Sequence, residues 1–444
     1  MTTRTPITHA QDLIRKFEAK TGRVGVIGLG YVGLPLAVEK ARTGFQVLGF
    51  DRNPSRVAQV NLGSSYIGDV KEAELRDMVL DCRRLEATTE WSRLGAMDAI
   101  VICVPTPLTR NLTPDLQFVE SVTREVARRL RPGQFVSLES TTYPGTTEEV
   151  IRPILETSGL REGEDFHLAF SPERVDPGNK RYTTRNTSKV VGAASPASLQ
   201  VALSFYRQTI QEVVPVSSAR AAEMVKVFEN TFRAVNIALV NELAMLCDRM
   251  DLDVWEVLEA AGTKPFGILP FFPGPGVGGH CIPLDPHYLE WKAREFNFNT
   301  RFIALAGEIN RHMPEFVLQK AVRVLGDLGL GLRGARVLLL GMAYKRDLDD
   351  ARESPAAEIY GMLADRGARV AYHDPHVPSH ADGRHEARSV PLTREILEEA
   401  DLVIILTDHT DVDYAFVLRH APKVLDTRNA TRGLLAEAGK VVKL

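Results

Sequence analysis

A short apolar stretch that runs into a glycine turn constrains the fold of this chain more than any other feature. Residues 24–27, Val-Gly-Val-Ile, have the pattern of a buried strand and lead into Gly28-Leu29-Gly30-Tyr31-Val32-Gly33, which opens a helical pattern. In such a turn Gly28 permits the tight bend, Gly30 lets a phosphate approach the backbone, and Gly33 allows close packing of helix on strand. The pattern predicts a Rossmann-like domain that binds a dinucleotide.

The residues around this turn predict which dinucleotide binds. Asp51 ends the next strand pattern, where its carboxylate can accept hydrogen bonds from the ribose hydroxyls and would repel a 2′-phosphate. This favours NAD over NADP, although Arg52 beside it leaves NADP open. Tyr31 and Val32, inside the turn, are predicted to line the same cofactor site.

Strand and helix patterns divide the chain into three predicted domains. The two patterns alternate over residues 1–211, which predicts a parallel sheet covered on both faces. Residues 212–329 differ, because the chain from 219 to 250 has no Gly or Pro and carries apolar residues at helical spacing. Alternation returns over residues 330–444. We therefore expect an α/β protein: two Rossmann-like, doubly wound parallel-sheet domains joined by a long central helix within a helical middle domain.

Composition argues against several classes of function. The hydrophobic share of 44% and the charged share of 25% are those of a globular protein, and a net charge of -3 provides no basic excess for nucleic acid. No apolar stretch is long enough to span a membrane, and residues 1–20 lack the apolar region of a signal peptide. We expect a cytoplasmic protein without a metal, because the cysteines have neither metal-type nor disulfide spacing. They are Cys82, Cys103, Cys247 and Cys281.

The loop at residues 278–285, Gly-Gly-His-Cys-Ile-Pro-Leu-Asp, is the first candidate for chemistry. It places Cys281 in glycine-rich backbone with Asp285 four residues later. A cysteine in such a loop can act as a nucleophile if a nearby group stabilises its thiolate. Lys226 and Asn230 share one face of the predicted long helix, and an ammonium with an amide donor suits a developing oxyanion.

Together these features resemble the UDP-glucose/GDP-mannose dehydrogenase family over nearly the whole chain. The resemblance implies an N-terminal NAD domain, a central helix that forms at least a homodimer, and a C-terminal domain that binds the nucleotide of a nucleotide sugar. It also implies oxidation of a primary alcohol to a carboxylate with two NAD per sugar. The matching stretches are residues 28–35, 104–107, 139–145, 171–174, 226–230, 278–285 and 345–355.

The resemblance also implies residue roles. Cys281 would be the nucleophile that forms a thiohemiacetal and then a thioester, while Lys226 and Asn230 would stabilise the oxyanions. Asp285 and Thr141 would orient a water for proton transfer. The remaining implied positions are Glu173 for thioester hydrolysis and substrate contact; Thr106, Thr141 and Arg352 for the cofactor; and Arg174, Lys226, Asn230, Phe272, Gly278 and Lys345 for the substrate.

The choice of sugar follows from two departures from the UDP-glucose branch of the family. Ser171-Pro172-Glu173-Arg174 and Leu284 resemble the N-acetylhexosamine branch, and residues 266–292 look most like members that act on UDP-N-acetylglucosamine. We expect oxidation of its C6 hydroxymethyl group to UDP-N-acetylglucosaminuronate for surface polysaccharide, with Arg174 accommodating the acetamido group. UDP-N-acetylmannosamine, UDP-N-acetylgalactosamine and UDP-glucose stay open as substrates.

Two other classes of function are disfavoured by the same residues. An NAD-retaining epimerase would need no cysteine nucleophile. A non-catalytic nucleotide-sugar-binding protein would be expected to have lost Cys281, Lys226 or Asn230, and all three are present. The role of His280, next to the nucleophile, is left open.

Overall fold

The computed structural model describes residues 8–109, 111–176, 178–179, 181–279 and 281–444, which form two compact units. The first unit contains the described residues up to Glu229 together with His287–Asn297. The second contains those of Asn230–Pro286 and Phe298–Leu444. The predicted domain boundaries at residues 211 and 329 stay a prediction. His280 lies outside the described residues.

An eight-stranded sheet forms the centre of the first unit. Its strands are β1 (Arg23–Ile27), β2 (Gln46–Phe50), β3 (Leu85–Thr88), β4 (Ala99–Ile102), β5 (Gln134–Leu138), β6 (Phe166–Phe170), β7 (Lys189–Ala193) and β8 (Val213–Pro215). The order is β3-β2-β1-β4-β5-β6-β7-β8, and all neighbours are parallel except β6 and β7. The chain reverses direction across the sheet between β1 and β4, the switch point where such folds bind ligands.

Helices cover both faces of this sheet. Along β4, Ala99 and Val101 enter one buried apolar cluster and Ile100 and Ile102 enter another, as expected for a sheet buried on both sides. The helices are α1 (His9–Glu18), α2 (Gly33–Arg42), α3 (Pro54–Asn61), α4 (Glu72–Arg76), α5 (Gln117–Ala127), α6 (Arg152–Glu156) and α7 (Pro196–Arg207). Two π-helical segments, Asp77–Asp81 and Thr147–Ile151, and a 3-10 segment, Trp91–Ala96, complete the connections.

The predicted long helix has the bounds that its sequence indicates. Helix α8 (Ala219–Met250) has 32 residues, so it is about 48 Å long and begins in the first unit and ends in the second. Two helices, rather than one continuous pattern, follow the cysteine loop, because residues 295–300 separate them. The helices after α8 are α9 (Val254–Gly262), α10 (Asp285–Arg294) and α11 (Arg301–Asp327).

A second parallel sheet organises the second unit. The strands of this unit are β9 (Arg336–Leu340), β10 (Arg369–His373), β11 (Ser379–Ala381), β12 (Glu386–Arg388), β13 (Leu402–Ile405), β14 (Val424–Asp426) and β15 (Val441–Lys443). Five of them form the sheet in the order β10-β9-β13-β14-β15, while β11 and β12 form an antiparallel hairpin. The helices are α12 (Pro355–Asp365), α13 (Arg394–Glu399) and α14 (Tyr414–His420). The predicted fold class is therefore confirmed.

No helix in the described part of the chain is both long enough and apolar enough to cross a bilayer.

Candidate active site

The glycine turn has the geometry that a dinucleotide requires. Gly28 has φ +91°, and a Cβ there would lie 2.6 Å from the carbonyl oxygen of Cys103. A Cβ on Gly33 would lie 1.8 Å from the Gly28 carbonyl oxygen, whereas a Cβ on Gly30 would meet nothing within 4 Å. Two glycines are thus required by the fold, and the third leaves open space before the N-terminus of α2, where N–H groups favour a diphosphate. These residues fit NAD.

Asp51 ties this turn to the end of β2. Its buried carboxylate accepts hydrogen bonds from the N–H groups of Leu29 (3.0 Å) and Asn53 (2.9 Å). The Arg52 guanidinium lies over the ring of Phe118, 5.1 Å from its centroid. Of the other predicted turn residues, Tyr31 has an exposed side chain and Val32 lies directly before α2.

Thr106 and Thr141, predicted to line the cofactor site, lie together in the structure. They follow the neighbouring strands β4 and β5, and the Thr106 hydroxyl donates to the Thr141 carbonyl at 2.6 Å. The hydroxyl of Tyr288 donates to the Thr106 carbonyl from the segment His287–Asn297 of the same unit. Parallel strands bring their carboxyl ends to one edge, which explains why residues 35 positions apart meet.

Glu173 and Lys226 also meet in the first unit. The Lys226 ammonium donates to the Glu173 carbonyl oxygen at 2.7 Å, while the Glu173 carboxylate accepts the N–H groups of Arg174 and Val175. Lys189 lies 3.6 Å from the same carboxylate. Burial alone would raise the pKa of Glu173, but Lys189, the two N–H groups and Lys226 outweigh burial and lower it. Glu173 is therefore ionised at neutral pH.

Arg174, the predicted acetamido contact, is held by an ion pair that the sequence does not reveal. Its guanidinium donates to both carboxylate oxygens of Glu229 on α8, at 3.2 and 2.6 Å, and to the carbonyl and hydroxyl of Ser188. Four of its five N–H donors thus have partners among the described residues. One N–H donor is left for a ligand.

Glu223, one helical turn before Lys226, anchors the loop that follows Thr141. Its buried carboxylate accepts the N–H groups of Gly145 (2.5 Å) and Thr147 (2.8 Å) and the Thr147 hydroxyl (2.6 Å). Burial, only partly offset by these hydrogen bonds, raises the pKa of Glu223 to about 7. The sequence analysis missed this residue, although its place in the Lys226 motif was a signal.

In the second unit, Asn230 on α8 and Asp285 are joined directly. The Asn230 side-chain amide donates to the buried Asp285 carboxylate at 2.5 Å. Cys281 is exposed, and its carbonyl oxygen accepts the N–H groups of Leu284 (3.1 Å) and Asp285 (2.9 Å). The thiol therefore stands at the start of a helical turn that leads into α10, and a helix N-terminus favours a negative charge.

The cysteine loop packs against the segment that contains Lys345. A Cβ on Gly278 would lie 2.7 Å from the Cβ of Tyr344, and Gly279, with φ +88°, faces the Tyr344 ring. Lys345 follows directly and is partly buried. Arg352, predicted to reach the cofactor, makes a bidentate ion pair with Asp350 at 2.9 and 2.7 Å.

A cavity of about 550 Å³ in the second unit combines aromatic and guanidinium groups. The predicted substrate residue Phe272 lines it and stacks on Trp255, with ring centroids 5.9 Å apart. Arg428 also lines it, and burial together with the neighbouring Arg346 lowers the pKa of Arg428 to about 10. Arg428 thus stays charged at neutral pH beside a like charge, an arrangement that an anion would stabilise. The sequence analysis missed Arg428 because no motif marks it.

The prediction that the chain has no metal stays a prediction. Among the described residues, Asp347, His376 and His409 place possible ligand atoms within 4.8 Å of one another. Both ring nitrogens of His409 are engaged, however: Nδ1 accepts the Asp347 N–H at 3.0 Å, and Nε2 lies 3.1 Å from the buried Asp374 carboxylate. His409 is therefore better explained as a residue that joins two loops.

Three successive parts of the chain match the three domains of one protein family. The NAD binding domain of the UDP-glucose/GDP-mannose dehydrogenase family matches residues 22–210, the central domain matches residues 220–312, and the UDP binding domain matches residues 338–433. The cofactor predicted from the glycine turn, NAD, is confirmed by the first match. The third match supports a nucleotide-sugar substrate.

Individual relatives agree over most of their length. The chain is 38% identical to a UDP-N-acetyl-D-glucosamine 6-dehydrogenase of Pseudomonas aeruginosa, over 88% of this chain and 91% of the relative. It is 36% identical to a UDP-N-acetyl-D-mannosamine dehydrogenase of Pyrococcus horikoshii, over 88% and 90%.

Solved structures show the same similarity. A UDP-D-ManNAc dehydrogenase from Pyrococcus horikoshii superimposes with a TM-score of 0.87 at 33% identity, over 95% of this chain and 98% of that chain. A UDP-glucose dehydrogenase from Pyrobaculum islandicum gives a TM-score of 0.82 at 30% identity, again over 95% and 98%. The chain therefore belongs to the UDP-glucose/GDP-mannose dehydrogenase family and is an NAD-dependent UDP-sugar dehydrogenase.

Proposed function

We propose that the chain oxidises the C6 hydroxymethyl group of UDP-N-acetylglucosamine by four electrons, giving UDP-N-acetylglucosaminuronate for surface polysaccharide. The observation that carries the mechanism is the exposed Cys281 at the start of the turn whose Asp285 is hydrogen-bonded to Asn230. A nucleophile, a carboxylate and an amide donor thus come from one loop and one helix. This is the set of groups that thioester chemistry needs.

The proposed steps follow from the difficulty of oxidising an aldehyde. NAD, when bound, accepts a hydride in each of the two oxidations. The first oxidation removes a hydride from C6 and a proton from its hydroxyl, which leaves an aldehyde. The Cys281 thiolate adds to the aldehyde carbon, and the resulting tetrahedral thiohemiacetal can lose the second hydride to become a thioester. Water then attacks the thioester, the C–S bond breaks, and the thiolate leaves.

The surrounding residues are proposed to manage charge and protons. Lys226 and Asn230 would stabilise the alkoxide and tetrahedral oxyanions, and Lys226 retains two N–H donors beyond its hydrogen bond to Glu173. Asp285 and Thr141 would orient a water for proton transfer. Glu173 would act as the base in thioester hydrolysis, a role that its ionised state supports.

We propose that the cavity lined by Phe272 and Arg428 binds the uridine diphosphate part of the substrate. Guanidinium groups suit phosphate oxygens because they offer several N–H donors in one plane, and the aromatic pair of Phe272 and Trp255 offers apolar surface to the nucleoside. Lys345, with Gly278 packed on its neighbour Tyr344, would contact the same substrate. Arg352 would contact the cofactor.

An N-acetylated sugar as the substrate is supported by the residues that follow β6. Arg174 keeps one N–H donor beyond its pair with Glu229, and this donor could reach an acetamido oxygen. The alternative substrates are UDP-N-acetylmannosamine, UDP-N-acetylgalactosamine and UDP-glucose. They stay open because the proteins similar to this chain are named for different sugars.

We also propose that α8 forms a homodimer or larger homo-oligomer. Exposed apolar side chains follow this helix at intervals of four and seven residues, which gives one apolar stripe. They are Met224, Phe228, Phe232, Leu239, Leu246 and Met250. A second copy of the same stripe is the self-complementary partner expected for a twofold interface. Light scattering should find a monomer for Leu239→Lys if the stripe is the interface.

The three-domain division at residues 211 and 329 is proposed to separate NAD binding, subunit contact and nucleotide binding, in line with the order of the family matches. A cytoplasmic location is proposed as well, because a thiolate nucleophile at Cys281 needs a reducing compartment.

The test is the amount of NADH released per nucleotide sugar, with the reaction run to completion on all four sugars. Two NADH from UDP-N-acetylglucosamine, and fewer than two from Cys281→Ser, in which the second oxidation lacks its nucleophile, would support mechanism and substrate. Two NADH from another sugar alone would correct the substrate. One NADH or none from every sugar would refute the thioester mechanism.

A further inference from the structure

The single antiparallel pair of the first sheet places Lys189 opposite Glu173. Strands β6 and β7 pair with Ala169 opposite Ala193 and Phe170 opposite Gly192. Continued by three residues beyond Phe170, this register sets Glu173 across from Lys189. Because β7 runs antiparallel to β6, Lys189 at the start of β7 lies beside the loop that follows β6.

The contacts of Lys189 agree with this register. Its ammonium lies 2.9 Å from a Glu139 carboxylate oxygen, 3.3 Å from the Pro172 carbonyl oxygen and 3.6 Å from a Glu173 carboxylate oxygen. The side chains of Lys189 and Glu139 are 5% and 0% exposed. One buried ammonium thus contacts the backbone before Glu173 and the carboxylate of Glu173 itself.

Glu139 in turn is fixed from the core. It follows β5, and its second carboxylate oxygen accepts the Tyr206 hydroxyl at 2.7 Å, which lies 2.7 Å from the Ser137 hydroxyl. A buried ion pair rarely adds stability over apolar residues of the same size. Its presence next to a functional loop therefore calls for an explanation other than stability.

We propose that Lys189 is a positioning residue that holds the Glu173 carboxylate for thioester hydrolysis, with Glu139 fixing Lys189. The inference rests on the proposed function. In the hydrolytic step Glu173 takes one proton from water as the water oxygen bonds to the acyl carbon. The C–S bond then breaks, Cys281 leaves as a thiolate, and the sugar acid is released; no electrons are exchanged. The two oxidations need Lys189 far less, because the Glu173 carboxylate takes up no proton in them.

The experiment compares two variants that differ in one charge next to Glu173. Lys189→Met alone would bury Glu139 without its ammonium partner, so the test variant is Lys189→Met with Glu139→Gln, which removes both charges of this buried ion pair. Glu139→Gln alone is the matched control, because its amide oxygen can still accept a hydrogen bond from Lys189, which therefore stays beside Glu173. Enzyme mixed with NAD and UDP-N-acetylglucosamine is acid-quenched, and intact mass spectrometry quantifies the acyl adduct on Cys281.

The double variant should release a burst of two NADH per site, accumulate the adduct, and hydrolyse it at least tenfold more slowly, within the range that a positioned base contributes. Glu139→Gln should show little adduct. Glu173→Gln should accumulate the adduct as the double variant does, with no further slowing when the changes are combined. Unchanged thermal unfolding and NAD affinity in the double variant would exclude a folding defect.

Two results separate this inference from the proposed function. If the wild-type enzyme releases two NADH and Glu173→Gln accumulates the adduct, but the double variant does not, the role of Lys189 is refuted and the thioester mechanism stands. If no variant forms an adduct and the wild-type enzyme does not release two NADH, the proposed function fails, and the inference fails with it.

Discussion

Asn241 on α8 joins three elements of the second unit and is fully buried. Its amide nitrogen donates to the Asn310 side-chain oxygen on α11 at 2.9 Å, and its own oxygen accepts the N–H of Gly274 at 3.0 Å. Asn310 donates in turn to the Ala234 carbonyl at 3.0 Å. The loop that leads to the cysteine motif is thus fastened to two helices by one side chain.

Asn241→Leu keeps the volume of this side chain and removes its polar atoms. The Gly274 N–H and the Asn310 side-chain oxygen then lose their partners inside the protein. Each unpaired buried group costs about 1–3 kcal/mol, so the free energy of unfolding of the second unit should fall by roughly 2–6 kcal/mol. Asn241→Leu with Asn310→Leu should recover part of this loss, because the Asn310 side-chain oxygen is gone and the Ala234 carbonyl keeps its hydrogen bond within α8, which leaves the Gly274 N–H unpaired.

Urea unfolding measures the change, with Trp255 as the reporter of the second unit after the two tryptophans of the first unit are replaced by phenylalanine. Thr263→Val is the matched control: its hydroxyl donates to the Ala260 carbonyl at 2.7 Å on the exposed surface of the second unit, away from the apolar stripe of α8. The control should change the free energy of unfolding by no more than about 0.5 kcal/mol. An unfolding midpoint of Asn241→Leu equal to that of the control variant would refute the reasoning.

Three further outcomes are expected. Gly33→Ala should abolish measurable NAD binding in calorimetry, because its Cβ would overlap the Gly28 carbonyl oxygen, whereas Gly331→Ala, with no atom near, should bind as the wild type does. Burial raises the pKa of Glu223 to about 7, so the folded state binds an extra proton between about pH 4.5 and 7. The stability that this proton contributes, roughly 3 kcal/mol, is complete below pH 4.5 and is lost as the pH rises through 7. Urea unfolding of Glu223→Gln should lack this slope; an unchanged slope would contradict the assignment. Arg428→Met should weaken UDP binding at least tenfold in calorimetry, and unchanged affinity would exclude the cavity as the nucleotide site.

Local patterns predicted the elements whose geometry is decided within a few residues. The run from 219 to 250 without Gly or Pro has the same bounds as α8, because nothing inside it breaks the helix and Asp251, at φ +55°, follows its end. The turn at Gly28 was equally readable, since the chemistry of a phosphate turn requires glycine at fixed spacing. The resemblance to a known family added the site residues that lie in short motifs.

Pairings between distant segments could not be read from the chain. The ion pair of Arg174 with Glu229 joins residues 55 positions apart, and the motifs that contain them do not show that the two side chains pair. Lys189 begins a strand whose antiparallel direction depends on the whole sheet, so its position opposite Glu173 has no local signal. Arg346 and Arg428 are far apart in the chain and line one cavity, although neither stands in a motif that predicts this. These residues act through tertiary neighbours, and periodicity reports only local neighbours.

The hydrogen bonds of Asp51 limit how the cofactor preference of this chain can evolve. A change to NADP normally requires loss of the carboxylate that repels the 2′-phosphate. Here the same carboxylate also accepts the N–H of Leu29 inside the glycine turn. Replacing Asp51 by a small neutral residue would remove the repulsion of the 2′-phosphate, but it would also leave the Leu29 N–H in the glycine turn without its acceptor. The intermediate sequence would therefore bind either dinucleotide poorly. A lineage that carries this arrangement is therefore held to NAD unless a second acceptor for the Leu29 N–H arises first.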